Sequence, residues 1–148
     1  MSISKSILEI IIPALIQIES GGNVNAIGDG GEAVGCLQIH EIMVDDVNRI
    51  AERNGYICPN TDEYIHSEYC YEDRYSEYKS TQMCEIYLNY YYSKYVKWYI
   101  EHGTLKLRHP HPFDVAEICA RLWNGGYEGL KRNPEPTDKY WNKVLRLL

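Results

Sequence analysis

A chain of 148 residues, 45% of them apolar, is one domain's worth of sequence with enough material for a proper core. Its net charge of −6 is uneven: residues 1–80 carry 5 basic and 14 acidic side chains, residues 81–148 carry 10 and 7. Neither half makes the uniform basic face of a nucleic-acid binder, and five cysteines without a C-x-x-C pair argue against both a zinc site and a disulfide framework.

The spacing predicts a helix over 4–20, apolar at Ile7, Ile11, Leu15 and Ile18, with Pro13 kinking it or opening its second part. The apolar run Ile7 to Ile16 is too short to span a bilayer, and no small-residue cleavage site follows it. It therefore reads as core, with no signal peptide and no membrane anchor. Residues 21–34 form a glycine-rich loop with room for a short hairpin, and Gly35 to Ile39 a brief extended exit. A second helix is expected from Glu41 to Asn54, with Ile42, Val47 and Ile50 inward and Gly55 as its stop.

Residues 56–80 read as an irregular acidic connection covering one side of a cleft. Thr81 to His102 reads as a long helix stopped at Gly103, apolar or aromatic nearly all the way round and hence central. His109 and His111, in H-P-H-P, fit a surface turn better than a metal site. Phe113 to Leu122 makes another helix, starting near Phe113 or Asp114 and running into W-N-G-G. A short helix from Thr137 closes the chain, apolar at Tyr140, Trp141, Val144, Leu145 and Leu148. The fold class is mainly α, α+β at most, with a substrate cleft and a small glycine-rich hairpin.

The chemistry concentrates in Glu19 to Ile39, where one glutamate closes an apolar helix and six glycines follow with two more acids, Asp29 and Glu32. A carboxyl at the end of a buried helix has its neutral form favoured by desolvation. Asp29 and Glu32, in the loop, would stay charged among water and backbone donors. One protonated and one ionised carboxyl across a cleft is the arrangement glycosidic cleavage requires. Asp29 in G-D-G-G also suits a plain turn, and Asn124 before two glycines suits a helix terminus. Fourteen tyrosines against one phenylalanine suit a sugar-lined cleft, and equally a half-buried amphipathic surface.

Four segments, in order, carry a family likeness: Glu19-Ser20; G-D-G-G-E-A-V-G (28–35) running into Gly35-Cys36-Leu37-Gln38-Ile39; A-R-L-W-N-G-G (120–126) with Gly129; and T-D-K-Y-W-N-K-V (137–144). The chain resembles the lysozyme superfamily: the first two match the soluble lytic transglycosylase and goose-type branches, the last two the invertebrate type. Trp123 stands where transglycosylases carry tyrosine, and His40 where goose-type enzymes often carry another acid.

The resemblance implies a lysozyme-like fold and a peptidoglycan muramidase acting on the β-1,4 bond between N-acetylmuramic acid and N-acetylglucosamine. Glu19 would be the general acid. Asp29, or Glu32 as second choice, would position water for hydrolysis; without it, Glu19 would turn base and a 1,6-anhydro ring would close. Ser20, Gln38 and Asn124 would orient the acid or the sugar amides, Gln38 alternatively capping a strand. Trp123, Tyr87, Tyr90 and Tyr91 would line the cleft. No cofactor, metal, nucleic acid or membrane insertion is implied, and the protein is expected to be a monomer whose partner is the glycan strand. Lacking an export signal, it would be a phage or virus endolysin, held in the host cytoplasm until release or carried in a particle. The alternative is a non-catalytic wall- or chitin-binding or virion structural protein on the same fold.

Overall fold

The computed structural model describes residues 2–54, 68–103 and 114–148. Among them are five α-helices: α1 Lys5–Ser20, α2 Glu41–Asn54, α3 Glu77–Trp98, α4 Val115–Arg132 and α5 Asp138–Leu145. The only sheet they include pairs β1 Ile27–Gly28 with β2 Ala33–Val34, antiparallel, Ile27 opposite Val34 and Gly28 opposite Ala33. The chain is thus mainly α with one minimal hairpin. No described helix is long and apolar enough to cross a membrane. Contacts gather into two compact units, Met1–Ile11 with Leu88–Leu148, and Ile12–Tyr87.

Helix α1 starts where Ser4 Oγ accepts the Ile7 N–H at 3.4 Å and ends where Gly21, at φ +63°, donates to the Gln17 carbonyl at 3.0 Å. This left-handed cap favours glycine and fixes Ser20 as the last helical residue. Pro13 lies inside the helix and removes one donor without ending it.

In the unit Ile12–Tyr87, Leu15, Leu37, Ile39, Val44, Val47, Met83 and Ile86 are buried. Helix α2 buries Val44, Val47, Ile50 and Ala51, whereas Ile42, expected inward, is 74% exposed. The apolar stripe begins half a turn later than the sequence reading put it. Of the stretch expected to be irregular, 68–80 is ordered: a 3-10 helix spans Tyr71–Tyr75 and α3 begins at Glu77, four residues before Thr81. Ser76 Oγ accepts the Lys79 N–H at 3.2 Å and so supplies the start signal. Asn48 holds both the N–H and the carbonyl of Tyr69, at 2.8 and 2.9 Å. Gly55 and the rest of that connection lie outside the described residues, as do His109, His111 and Phe113.

In the other unit, Leu8, Leu88, Val96, Tyr99, Ile118, Leu122, Leu130 and Val144 form the buried set. Helix α3 passes into a π-helical turn, Tyr99–Gly103. Helix α4, capped by Asp114 through the Glu117 N–H at 2.8 Å, does not stop at Leu122 but continues through W-N-G-G to Arg132. The break falls at one residue, Gly126, at φ 73° and ψ 165°. Gly125 packs so tightly that a Cβ would stand 2.6 Å from Thr137 Cγ2. In and just beyond α5, Trp141 and Val144 are buried, but Leu145 and Leu148 are about half exposed, against expectation.

Arg121, 6% exposed, ties this unit together. Its Nε donates to Glu117 at 2.9 Å, and its Nη1 to the Pro134 carbonyl at 3.1 Å, Thr137 Oγ1 at 2.9 Å and Asp138 at 2.6 Å. Burial pushes the Glu117 carboxyl up from its ordinary value, a shift that the Arg121 bond opposes. The A-R and T-D of the two C-terminal motifs are therefore partners in one clamp. The four described cysteines, Cys36, Cys70, Cys84 and Cys119, are free thiols.

Candidate active site

Glu19 is the penultimate residue of α1 and half-buried. The segment after it is built almost entirely from backbone acceptors. Ser20 Oγ donates to the Cys36 carbonyl at 2.7 Å, and the Gly22 N–H donates back to Ser20 Oγ at 3.1 Å. Gln38, itself at φ +51°, donates its amide to the Ala26 carbonyl at 3.2 Å and to the Gly35 carbonyl at 3.0 Å. Val34 and Ile39 exchange both backbone bonds, at 3.2 and 3.0 Å, folding the exit segment back on β2.

Ser20 and Gln38 thus hold the loop's own shape, and the donors assigned to substrate are engaged within the protein. Close approach explains two of the glycines. A Cβ on Gly28 would overlap the Gln38 amide oxygen, and one on Gly35, at φ +85°, would overlap the Arg74 carbonyl. Arg74 is 7% exposed and completes the frame, with Nε donating to the Tyr71 carbonyl at 2.8 Å and Nη1 to the Ile39 and Glu32 carbonyls at 3.1 and 3.4 Å.

The acids sit at the tip of this frame. Asp29 opens a 3-10 turn, Asp29–Gly31, at φ +51°. Its carboxylate lies 3.1 Å from His40 Nε2, with side-chain exposures of 70% for the aspartate and 39% for the histidine. Glu32 is exposed, and its N–H closes the turn on the Asp29 carbonyl at 3.3 Å. Asp29 therefore has both natures read from its sequence, a left-handed turn residue and a carboxylate in water. Its partner is His40, which the sequence reading noted only as a departure. His40 meets it because the Val34–Ile39 bridge returns the chain beside the hairpin, a pairing that no local sequence pattern signals.

The aromatic candidates divide. Tyr87 is 7% exposed and belongs to the core, where burial pushes its phenol far up from the ordinary value. It does not line an open floor. Trp123, also 7% exposed, faces inward, whereas Asn124 beside it is exposed. Tyr90 and Tyr91 remain half-exposed and pack edge-to-face at 4.9 Å. Among the described residues no group of three His, Cys, Asp or Glu could hold a metal ion.

Comparison with protein-family models, with curated proteins and with solved structures gives no match to this chain in any of the three.

Proposed function

We propose that the protein is a peptidoglycan-cleaving muramidase in which Glu19 donates the proton that breaks the β-1,4 glycosidic bond. The observation that carries this reading is the setting of Glu19: a half-buried residue at the tip of α1, followed at once by a backbone-stapled loop that ends in the Asp29–His40 pair. Partial burial favours the neutral, proton-donating form of a carboxyl. Asp29 is open to water and held by His40, which suits a charged group that orients an attacking water or faces an oxocarbenium-like transition state. The order of helix-ending Glu19-Ser20, glycine-rich loop and Gly35–Ile39 segment is the order of the lysozyme-superfamily motifs named above.

Glu19→Gln is expected to lower the clearing of wall suspensions by about 10²–10⁴-fold with the fold intact. Clearing that is unchanged in this variant removes the proposal. Product mass separates the two chemistries, because an anhydro-muramoyl end is lighter by one water than a hydrolysed one. If Asp29 serves the water, the product is the hydrolysed end and Asp29→Asn abolishes it. No clearing by the unaltered chain, with wall binding retained, would leave the non-catalytic wall-binding alternative.

A further inference from the structure

In the unit that contains residues 88–148, the end of α3 and the end of α4 bring rings and ammonium groups together. Lys131 stands one turn beyond Tyr127 on α4, and its Nζ comes back to 4.3 Å from the centre of that ring. Lys94, one turn beyond Tyr90 and Tyr91 on α3, reaches the same Tyr127 ring at 4.9 Å and lies 5.7 and 6.0 Å from the other two. Tyr91 and Tyr127 are 5.8 Å apart. The row continues along α3: Trp98 lies 5.9 Å from Lys131 and carries His102 stacked on it at 6.0 Å.

Two ammonium groups on one tyrosine repel each other, and a ring face compensates only about 0.5–1 kcal/mol per contact at an exposed site. Lys131 has a counter-charge in Glu128, at 3.2 Å. Lys94 is exposed and has no carboxylate partner among the described residues. The face therefore holds excess positive charge fixed over flat apolar surface, with Tyr90, Tyr91 and Trp98 still half-open to solvent. Rings of this kind pack against the C–H face of a sugar, and the ammonium groups pair with a carboxylate or phosphate. A bare polyanion would use the lysines and leave the rings idle.

We infer that this face binds an anionic glycan, its sugar rings against Tyr90, Tyr91 and Trp98 and its acidic groups at Lys94 and Lys131. The proposed muramidase activity bears only on where such a glycan comes from, a wall strand with the free carboxylates of its peptide stems or a phosphate-bearing polymer attached to it.

The test uses the full chain carrying Glu19→Gln, so that binding is read without turnover and stands apart from the fate of the catalytic reading. Retention on immobilised polygalacturonate at low salt is expected, with little on neutral dextran. Lys94→Gln with Lys131→Gln should weaken it about tenfold, and Trp98→Leu severalfold, at unchanged circular dichroism. Teichoic acid run beside polygalacturonate identifies the source, since the tighter of the two names the acidic group. Equal retention on dextran, unchanged binding in the double lysine variant, or inorganic polyphosphate binding as tightly with Trp98→Leu without effect would each overturn the inference.

Discussion

Among the described residues each compact unit buries one arginine, and the two do opposite kinds of work. Arg74 spreads its guanidinium over three main-chain carbonyls, and its nearest carboxylate, Glu41, is 3.7 Å away and 58% exposed. Arg121 is held instead by Glu117, with a side chain only 17% exposed, by Asp138 and by the Thr137 hydroxyl. A glycine-rich loop has few side chains of its own to pack, so its shape must be fixed through carbonyl oxygens. Two helices and the 3-10 turn Glu135–Thr137 have side chains at fixed positions and can be locked by charge. The difference is one of dependency: Arg121 keeps a carboxylate from being buried alone, and Arg74 keeps backbone acceptors from being left without donors.

The contrast breaks or sharpens with substitutions. Arg121→Met should cost about 3–5 kcal/mol in urea unfolding, because it leaves Glu117 buried without its partner. Adding Glu117→Gln should restore about 1 kcal/mol or more of that loss. Arg74→Met should cost about 2–3 kcal/mol, and Glu41→Gln should restore nothing. A rescue in both units would dissolve the distinction.

In alkali the loss builds gradually, to at least the size of the arginine effects by about pH 12, and only from buried groups. Burial pushes the Tyr95 phenol to about 12 and the Cys119 thiol to about 12, from 10.0 and 9.0. The unfolded chain then loses these protons first. Stability should be complete below about pH 9 and fall by about 1.4 kcal/mol per pH unit for each group, from about pH 9 for Cys119 and from about pH 10 for Tyr95, as pH rises towards 12, measured by thermal melts across that range. Asp29→Asn is the mildest, at less than about 0.5 kcal/mol, because an exposed pair contributes little. If it melts the protein, Asp29 is structural and its proposed role in the reaction is lost.

Much of this fold was legible in the residues. Helix α2 has the bounds expected, and the ends of α1 follow from Ser4 and Gly21. Helix α3 was read four residues short because the tyrosines and acids before Thr81 have no clear period; Ser76 was the overlooked cap. The glycine pair at 125–126 looked like a terminus, yet one residue with positive φ interrupts a helix without ending it. In the candidate site, Glu19, Asp29 and the loop were readable as local pattern. His40, Arg74 and Lys131 were not singled out, because their partners are settled by how the chain returns on itself. The spacings of Tyr90 with Lys94 and of Tyr127 with Lys131 could still have flagged the cationic face.

The stapling of residues 20–39 has one last consequence. Its struts are main-chain oxygens met by Ser20, Gln38 and Arg74, none of which lies at the hairpin tip. Positions 30–32 can therefore be rewritten in sequence while the scaffold beneath them keeps its form, provided that 30 and 31 tolerate a left-handed backbone. Such a tip is an exchangeable bit in a fixed handle, and new specificities could be grafted there without rebuilding the tool.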